Sequence, residues 1–145
     1  MHDRRNGTAE TILLVEDDPD HQELALLALE KHGLASNVIV VSDGVEAIEY
    51  LSRQELPSFV LLDLQLPKMS GLEVLGWIRD HERTRFLPVV VLSSSDEQKD
   101  ILRTYELGVN SYILKPTDFN EFTEAARQVS VYWLTLNQTP LNKIV

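Results

Sequence analysis

At 145 residues, with 43% hydrophobic and 25% charged residues, the chain reads as one soluble domain large enough to bury a core. A net charge of −10, from 23 acidic against 13 basic residues, argues against a general nucleic-acid surface and suits a protein that holds cations or docks basic partners. With no cysteine there is no disulfide framework or thiolate metal site. The polar N-terminus and the lack of a long apolar run exclude a signal peptide and a membrane span, so a cytoplasmic location is expected.

In chain order, residues 1–10 are expected to form a flexible tail. Thr11-Ile12-Leu13-Leu14-Val15 is a wholly apolar strand that runs into Glu16-Asp17-Asp18-Pro19. Pro19 suits the first turn of a helix with Asp18 as its N-cap. That helix is predicted to reach about His32, with Leu24, Leu27 and Ala28 inward, and to stop at Gly33. Asn37 to Val41 is the second strand, followed by a helix with Val45, Ile48 and Leu51 on one face. The apolar run Phe59 to Leu62 is the third strand, and Asp63 stands at its tip before a loop marked by Pro67 and Gly71. Leu72, Leu75 and Ile78 mark the next helix, with Trp77 off its buried stripe.

Leu87 to Leu92 forms the fourth strand and leads into Ser93-Ser94-Ser95-Asp96. A helix follows with Ile101, Leu102 and Tyr105 as its apolar residues, closed by Gly108. Ser111 to Leu114 is the fifth strand, ending at Lys115-Pro116. In the last helix, Asp118 and Glu121 have capping-box spacing, and Phe119, Phe122, Ala126, Val129, Trp133 and Leu136 make one stripe. The domain is taken as residues 11–138, with 139–145 a second tail. Five β–α units in alternation predict an α/β fold with a parallel sheet, helices on both faces and right-handed crossovers.

In such a sheet the strand tips share one edge, where ligands of open α/β sheets bind. Glu16, Asp17 and Asp18 end strand one, Asp63 strand three, Ser93 strand four and Lys115 strand five. Several carboxylates in one pocket invite a hard divalent cation, and Mg²⁺ characteristically takes one or two carboxylates, waters and phosphate oxygens. Lys115 supplies a mobile charge for a phosphoryl oxygen, Ser93 a hydroxyl for the same oxygen, and Asp63 a nucleophile that could form an aspartyl phosphate. Taken singly, each has an ordinary structural reading: a helix cap, a polar turn or an exposed lysine. Their joint occurrence at four strand tips is what favours chemistry.

Leu14-Val15-Glu16-Asp17-Asp18, Leu62 to Gly71, Ser93 and Tyr112-Ile113-Leu114-Lys115-Pro116 together resemble the receiver domain of two-component response regulators. The resemblance spans about Thr11 to Val131. It implies a flavodoxin-like, doubly wound five-stranded sheet of order 2-1-3-4-5 with five helices. It implies Asp63 as phosphoacceptor from a histidine kinase, and Mg²⁺ or Mn²⁺ held by Asp17, Asp18, Asp63 and the Gln65 backbone carbonyl. Ser93 and Lys115 take the family's hydroxyl and lysine positions, and the Lys115–Pro116 bond is implied to be cis. Tyr112 aligns with the family's switch aromatic, although it reads equally as a half-buried strand residue.

Residues Asp100 to Tyr112 and Tyr132-Trp133-Leu134 resemble, more narrowly, the single-domain regulators partnered with bacterial phytochrome kinases. That implies a homodimer through helix four, strand five and helix five; output is expected through protein contacts, and the sequence offers Val131 and Leu134, off the main stripe, as apolar contacts. Two other functions stay open: an interaction module that works without phosphorylation, and an Mg²⁺ phosphohydrolase. The hydrolase is disfavoured because such enzymes commonly carry a second Asp where this chain has Gln65. Turnover of an external substrate is therefore not expected.

Overall fold

The computed structural model describes residues 11–31, 37–53 and 55–137. The expected tails, and the expected helix stop at His32 and Gly33, lie outside the described residues. Strands β1 (Thr11–Val15), β2 (Asn37–Val41), β3 (Phe59–Leu62), β4 (Val89–Ser93) and β5 (Ser111–Leu114) alternate with helices. The helices are α1 (Pro19–Lys31), α2 (Gly44–Arg53), α3 (Gly71–Asp80), α4 (Gln98–Glu106) and α5 (Phe119–Val131). All strand pairs are parallel, as the alternation of elements predicts, and the sheet order is β2-β1-β3-β4-β5, as the family resemblance implies.

The strands are continuously apolar because both faces of the sheet are covered. Alternate residues divide between two layers of core. Leu13, Val15, Val60, Leu62, Val89 and Val91 meet Ala47 and Leu51 of α2 and Val74, Leu75 and Ile78 of α3. Ile12, Leu14, Phe59, Leu61, Val90 and Leu92 meet Ala25 and Leu29 of α1 and Phe122 of α5. A one-residue slip in any central strand would exchange the two layers, so the register is strongly specified.

The helices depart from the predicted faces in informative ways. In α1 the buried residues are Ala25, Ala28 and Leu29, while Leu27 is 49% exposed. Residues 24–29 are all apolar, so periodicity could not set the rotation of the helix; close packing of α1 against α5 does. In α2, Val45 faces outward, with Ala47 and Leu51 buried. Trp77 is half-buried against the core and stacks on His81, with ring centroids 4.0 Å apart.

In α4, Leu102 (61% exposed) and Tyr105 point to solvent, and the buried residue is Thr104. Its hydroxyl donates to the Asp100 carbonyl at 2.6 Å, so the polar group is satisfied within the helix and the methyl can pack. After α5, Tyr132–Leu136 form a π-helical turn closed by the Asn137 N–H on the Tyr132 carbonyl. The wider turn shifts the apolar stripe by one residue. Leu134 is 2% exposed, within the core, rather than an interface contact, while Leu136 and Phe119 are exposed. The Lys115–Pro116 bond is trans, not cis; no cis peptide occurs among the described residues. For an X–Pro bond trans is the lower state by about 0.5–1 kcal/mol unless packing selects otherwise.

Candidate functional site

The sheet places its C-terminal residues by backbone hydrogen bonds that extend the ladders one step past the strands. The Asp63 N–H donates to the Val15 carbonyl at 3.0 Å, the Glu16 N–H to Val41 at 3.1 Å and the Lys115 N–H to Ser93 at 2.7 Å. Glu16, Asp63 and Lys115 are thereby fixed side by side on one edge. With Asp17, Asp18, His21, Gln65 and Ser94 they line an open, shallow pocket.

Within it, carboxylate oxygens of Glu16, Asp17 and Asp63 lie within 4.8 Å of one another. Against these stands Lys115, only 8% exposed in its side chain. Its Nζ donates to Glu16 Oε1 at 2.8 Å, to His21 Nδ1 at 2.9 Å and to Asp63 Oδ2 at 3.4 Å. Burial pushes the Glu16 carboxyl above its ordinary value of 4.5; the Asp63 charge adds to this, and the Lys115 bond opposes it. Asp63 itself is 9% exposed, and its Oδ1 accepts the Gln65 N–H at 3.2 Å.

The acid trio differs from the expected Asp17, Asp18 and Asp63. Asp18 is the N-cap of α1: its Oδ1 accepts the N–H groups of Asp20 at 2.9 Å and His21 at 3.4 Å. The Asp20 N–H is the main cause that holds its carboxyl below the usual range. Asp18 therefore stands at the rim, committed to the helix, and Glu16 completes the cluster. Glu16 is the residue directly after the strand, which is why it shares the level of Asp63 after β3.

Ser93 is 1% exposed, its Oγ accepting the Ser95 N–H at 3.2 Å, and the residue that lines the pocket beside it is Ser94. Tyr112 is half-buried against the core, and its hydroxyl donates to the Ser95 carbonyl at 2.6 Å. The Ser95 Oγ donates to Asp100 at 2.6 Å, which ties this loop to α4. Ser93, Tyr112 and α4 thus meet at one residue of the β4–α4 loop.

The loop after Asp63 is held as tightly. The Gly71 N–H donates to the Leu64 carbonyl at 2.9 Å, and a Cβ on Gly71 would sit 2.4 Å from the Asp63 carbonyl oxygen and 2.5 Å from Leu64 Cα. Only glycine fits there. Ser70 and Glu73 form a reciprocal capping box on α3, at a spacing the sequence carries. His21 is a site residue that the strand-tip pattern does not pick out. Its signal is its place three residues after Asp18, in the first turn of a helix that starts at the same edge.

The arrangement offers an oxygen nucleophile, a hard acidic ligand set and one lysine aimed between them. The set fits a divalent cation: three carboxylates converge, one lysine does not balance them, and oxygen donors suit Mg²⁺ or Mn²⁺.

Comparison with known proteins agrees with the fold. The crystal structure of the phosphorylated cyanobacterial phytochrome response regulator RcpA is similar, with a TM-score of 0.86, 35% identity, and coverage of 90% of this chain and 98% of that one. Response regulator Rcp1 of Synechocystis sp. is 33% identical over 140 residues, 92% of this chain and 95% of its own. Its Mn²⁺-bound structure gives a TM-score of 0.84 at 32% identity, covering 90% and 99% of the two chains. The bacteriophytochrome response regulator AtBRR is 47% identical, with a TM-score of 0.69 and coverage of 89% and 98%. Residues 12–127 match the family described as the response regulator receiver domain, and the chain belongs to that family of two-component signalling proteins.

Proposed function

We propose that Asp63 is the phosphoacceptor of this receiver, loaded by a sensor histidine kinase. The observation that carries the reading is the setting of Asp63: nearly buried, 3.4 Å from Lys115 Nζ and grouped with Glu16 and Asp17. In the transfer, an Asp63 carboxylate oxygen forms the O–P bond as the P–N bond to the donor histidine breaks, the bonding pair going to the imidazole nitrogen. Lys115 holds a phosphoryl oxygen while charge is redistributed. Glu16, Asp17 and Asp63, with the Gln65 backbone carbonyl, would hold Mg²⁺ or Mn²⁺. Such an ion, when bound, offsets the negative charge that the phosphoryl oxygens bring into the pocket.

The output follows from the β4–α4 loop. When the Ser93 hydroxyl turns to a phosphoryl oxygen it gives up the Ser95 N–H, and Tyr112 and α4 both hang on Ser95. A small local change thereby biases two packings of α4 and β5. That face exposes Leu102, Tyr105 and Leu114, the apolar residues we assign to a homodimer contact through α4, β5 and α5. The names of RcpA and AtBRR support a phytochrome-type kinase as the donor.

The test is intact-mass spectrometry after incubation with Mg²⁺ and acetyl phosphate. The wild type gains one phosphoryl group and Asp63→Asn gains none. A wild type that stays unmodified with both acetyl phosphate and the cognate kinase would instead be an interaction module that works without phosphorylation.

A further inference from the structure

Lys115 has three ammonium hydrogens and three partners, and one of them has no part in the reading above. His21 Nδ1 lies 2.9 Å from Nζ, almost as close as Glu16 Oε1 at 2.8 Å and closer than Asp63 Oδ2 at 3.4 Å. Lysine only donates, so in this contact Nδ1 is the accepting nitrogen. The other polar atoms near Nδ1, Asp18 Oδ2 at 3.6 Å and Glu16 Oε1 at 3.9 Å, are too far to compete.

The ring is not loose. It stacks on Phe122 at a centroid distance of 5.9 Å and an interplanar angle of 25°, and Phe122 belongs to the buried core. Its backbone is tied to the Asp18 cap. A helix on one side of the sheet edge therefore presents a fixed acceptor to a lysine delivered by β5 on the other.

We propose that His21 is a positioning residue for phosphoryl transfer. With Glu16 it holds two of the three Lys115 hydrogens, so that the third points at Asp63. The Asp63 contact is the longest of the three and the one a phosphoryl oxygen would replace; His21 and Glu16 keep the lysine in place before and after that exchange. This rests on Asp63 being the phosphoacceptor. Without the acceptor a nearly buried ammonium loses a partner and samples other directions.

Two substitutions separate the nitrogen from the ring. His21→Phe keeps the stack on Phe122 but has no acceptor; His21→Asn loses the stack but carries an oxygen near the Nδ1 position. With Mg²⁺ and acetyl phosphate, His21→Phe is expected to lower the phosphorylation rate constant about fivefold, the scale of one hydrogen bond to a charged group partly replaced by water. His21→Asn is expected to stay within about twofold of wild type. In a Lys115→Ala background, His21→Phe should add nothing, because its effect passes through the lysine.

A second readout needs neither metal nor phosphate: the ¹⁵N shifts of the His21 ring in the metal-free protein, which should report the Nε2–H tautomer. The proposal is overturned if His21→Phe matches wild type, if its deficit persists without Lys115, or if the Nδ1–H tautomer is found. A wild type that takes no phosphoryl group defeats the phosphoacceptor reading instead, and the ring shifts still decide the contact.

Discussion

Replacing Lys115 by methionine tests whether the pocket is a cation site. Methionine keeps the apolar stem and removes the charge that lies between Glu16 at 2.8 Å and Asp63 at 3.4 Å. The two carboxylates, both nearly buried, are left with oxygens within 4.8 Å of each other. At an effective dielectric constant of about 20, two charges at that separation repel by about 3.5 kcal/mol. Stranding a buried charge by removing its partner costs about 3–5 kcal/mol. Water reaches this pocket from the open side, and Glu16, already pushed up by burial, can take a proton. We therefore expect a loss of about 3 kcal/mol in EDTA near neutral pH, a large share of a typical domain's 5–15 kcal/mol.

Millimolar Mg²⁺ should restore most of that loss, and should raise the urea midpoint of Lys115→Met more than that of wild type, where the lysine competes with the metal. The pH dependence has a definite sign. A carboxyl whose folded pKa is raised favours the fold below its ordinary value of 4.5 and loses that contribution as pH rises through the raised value. The lysine bond opposes the rise, so without it the window extends upward, and the deficit of the variant narrows as pH falls toward 4.5. Urea unfolding followed by far-UV circular dichroism, in EDTA and in Mg²⁺, reads all three effects. Equal midpoints in EDTA, or equal gains from Mg²⁺, would refute the reasoning.

Two glycines of α3 provide a contrast within one helix. Gly71→Ala drives a methyl into the backbone of Asp63 and Leu64 and should cost about 1–3 kcal/mol, whereas a Cβ on Gly76 meets nothing within 4 Å, so Gly76→Ala should stabilise by about 0.5–1 kcal/mol. Urea midpoints check both, and acetyl phosphate labelling should slow only in Gly71→Ala. For the apolar face, Leu102→Glu with Tyr105→Glu should convert a dimer to a monomer by light scattering; a wild type that is monomeric at high concentration, phosphorylated or not, would rule the contact out.

Much of the fold is legible because strand and loop chemistry is local. Apolar runs at Ile12 to Val15, Phe59 to Leu62 and Val89 to Leu92 are buried on both faces, and each ends in a polar residue that cannot follow into the core. That brings Glu16, Asp63 and Ser93 to one edge, and Lys115 joins them from the tip of the less buried β5. Helix rotation is less legible. The unbroken apolar stretch in α1 has no phase, Thr104 hides its hydroxyl in its own helix, and the π-turn at Tyr132–Leu136 carries Leu134 inward against a constant 3.6-residue period.

The parallel sheet, the acidic edge and the pairing of an aspartate with a lysine follow from the residues alone, since strand burial and tip position depend on residue type along a few neighbouring positions. That Glu16 rather than Asp18 clusters with Asp17 and Asp63 is visible only in three dimensions, where Asp18 caps α1 and Glu16 stands level with Asp63. Only the tertiary structure brings His21 of α1 onto Lys115 after β5, 94 residues along the chain, because that contact depends on how α1 packs against Phe122 of α5.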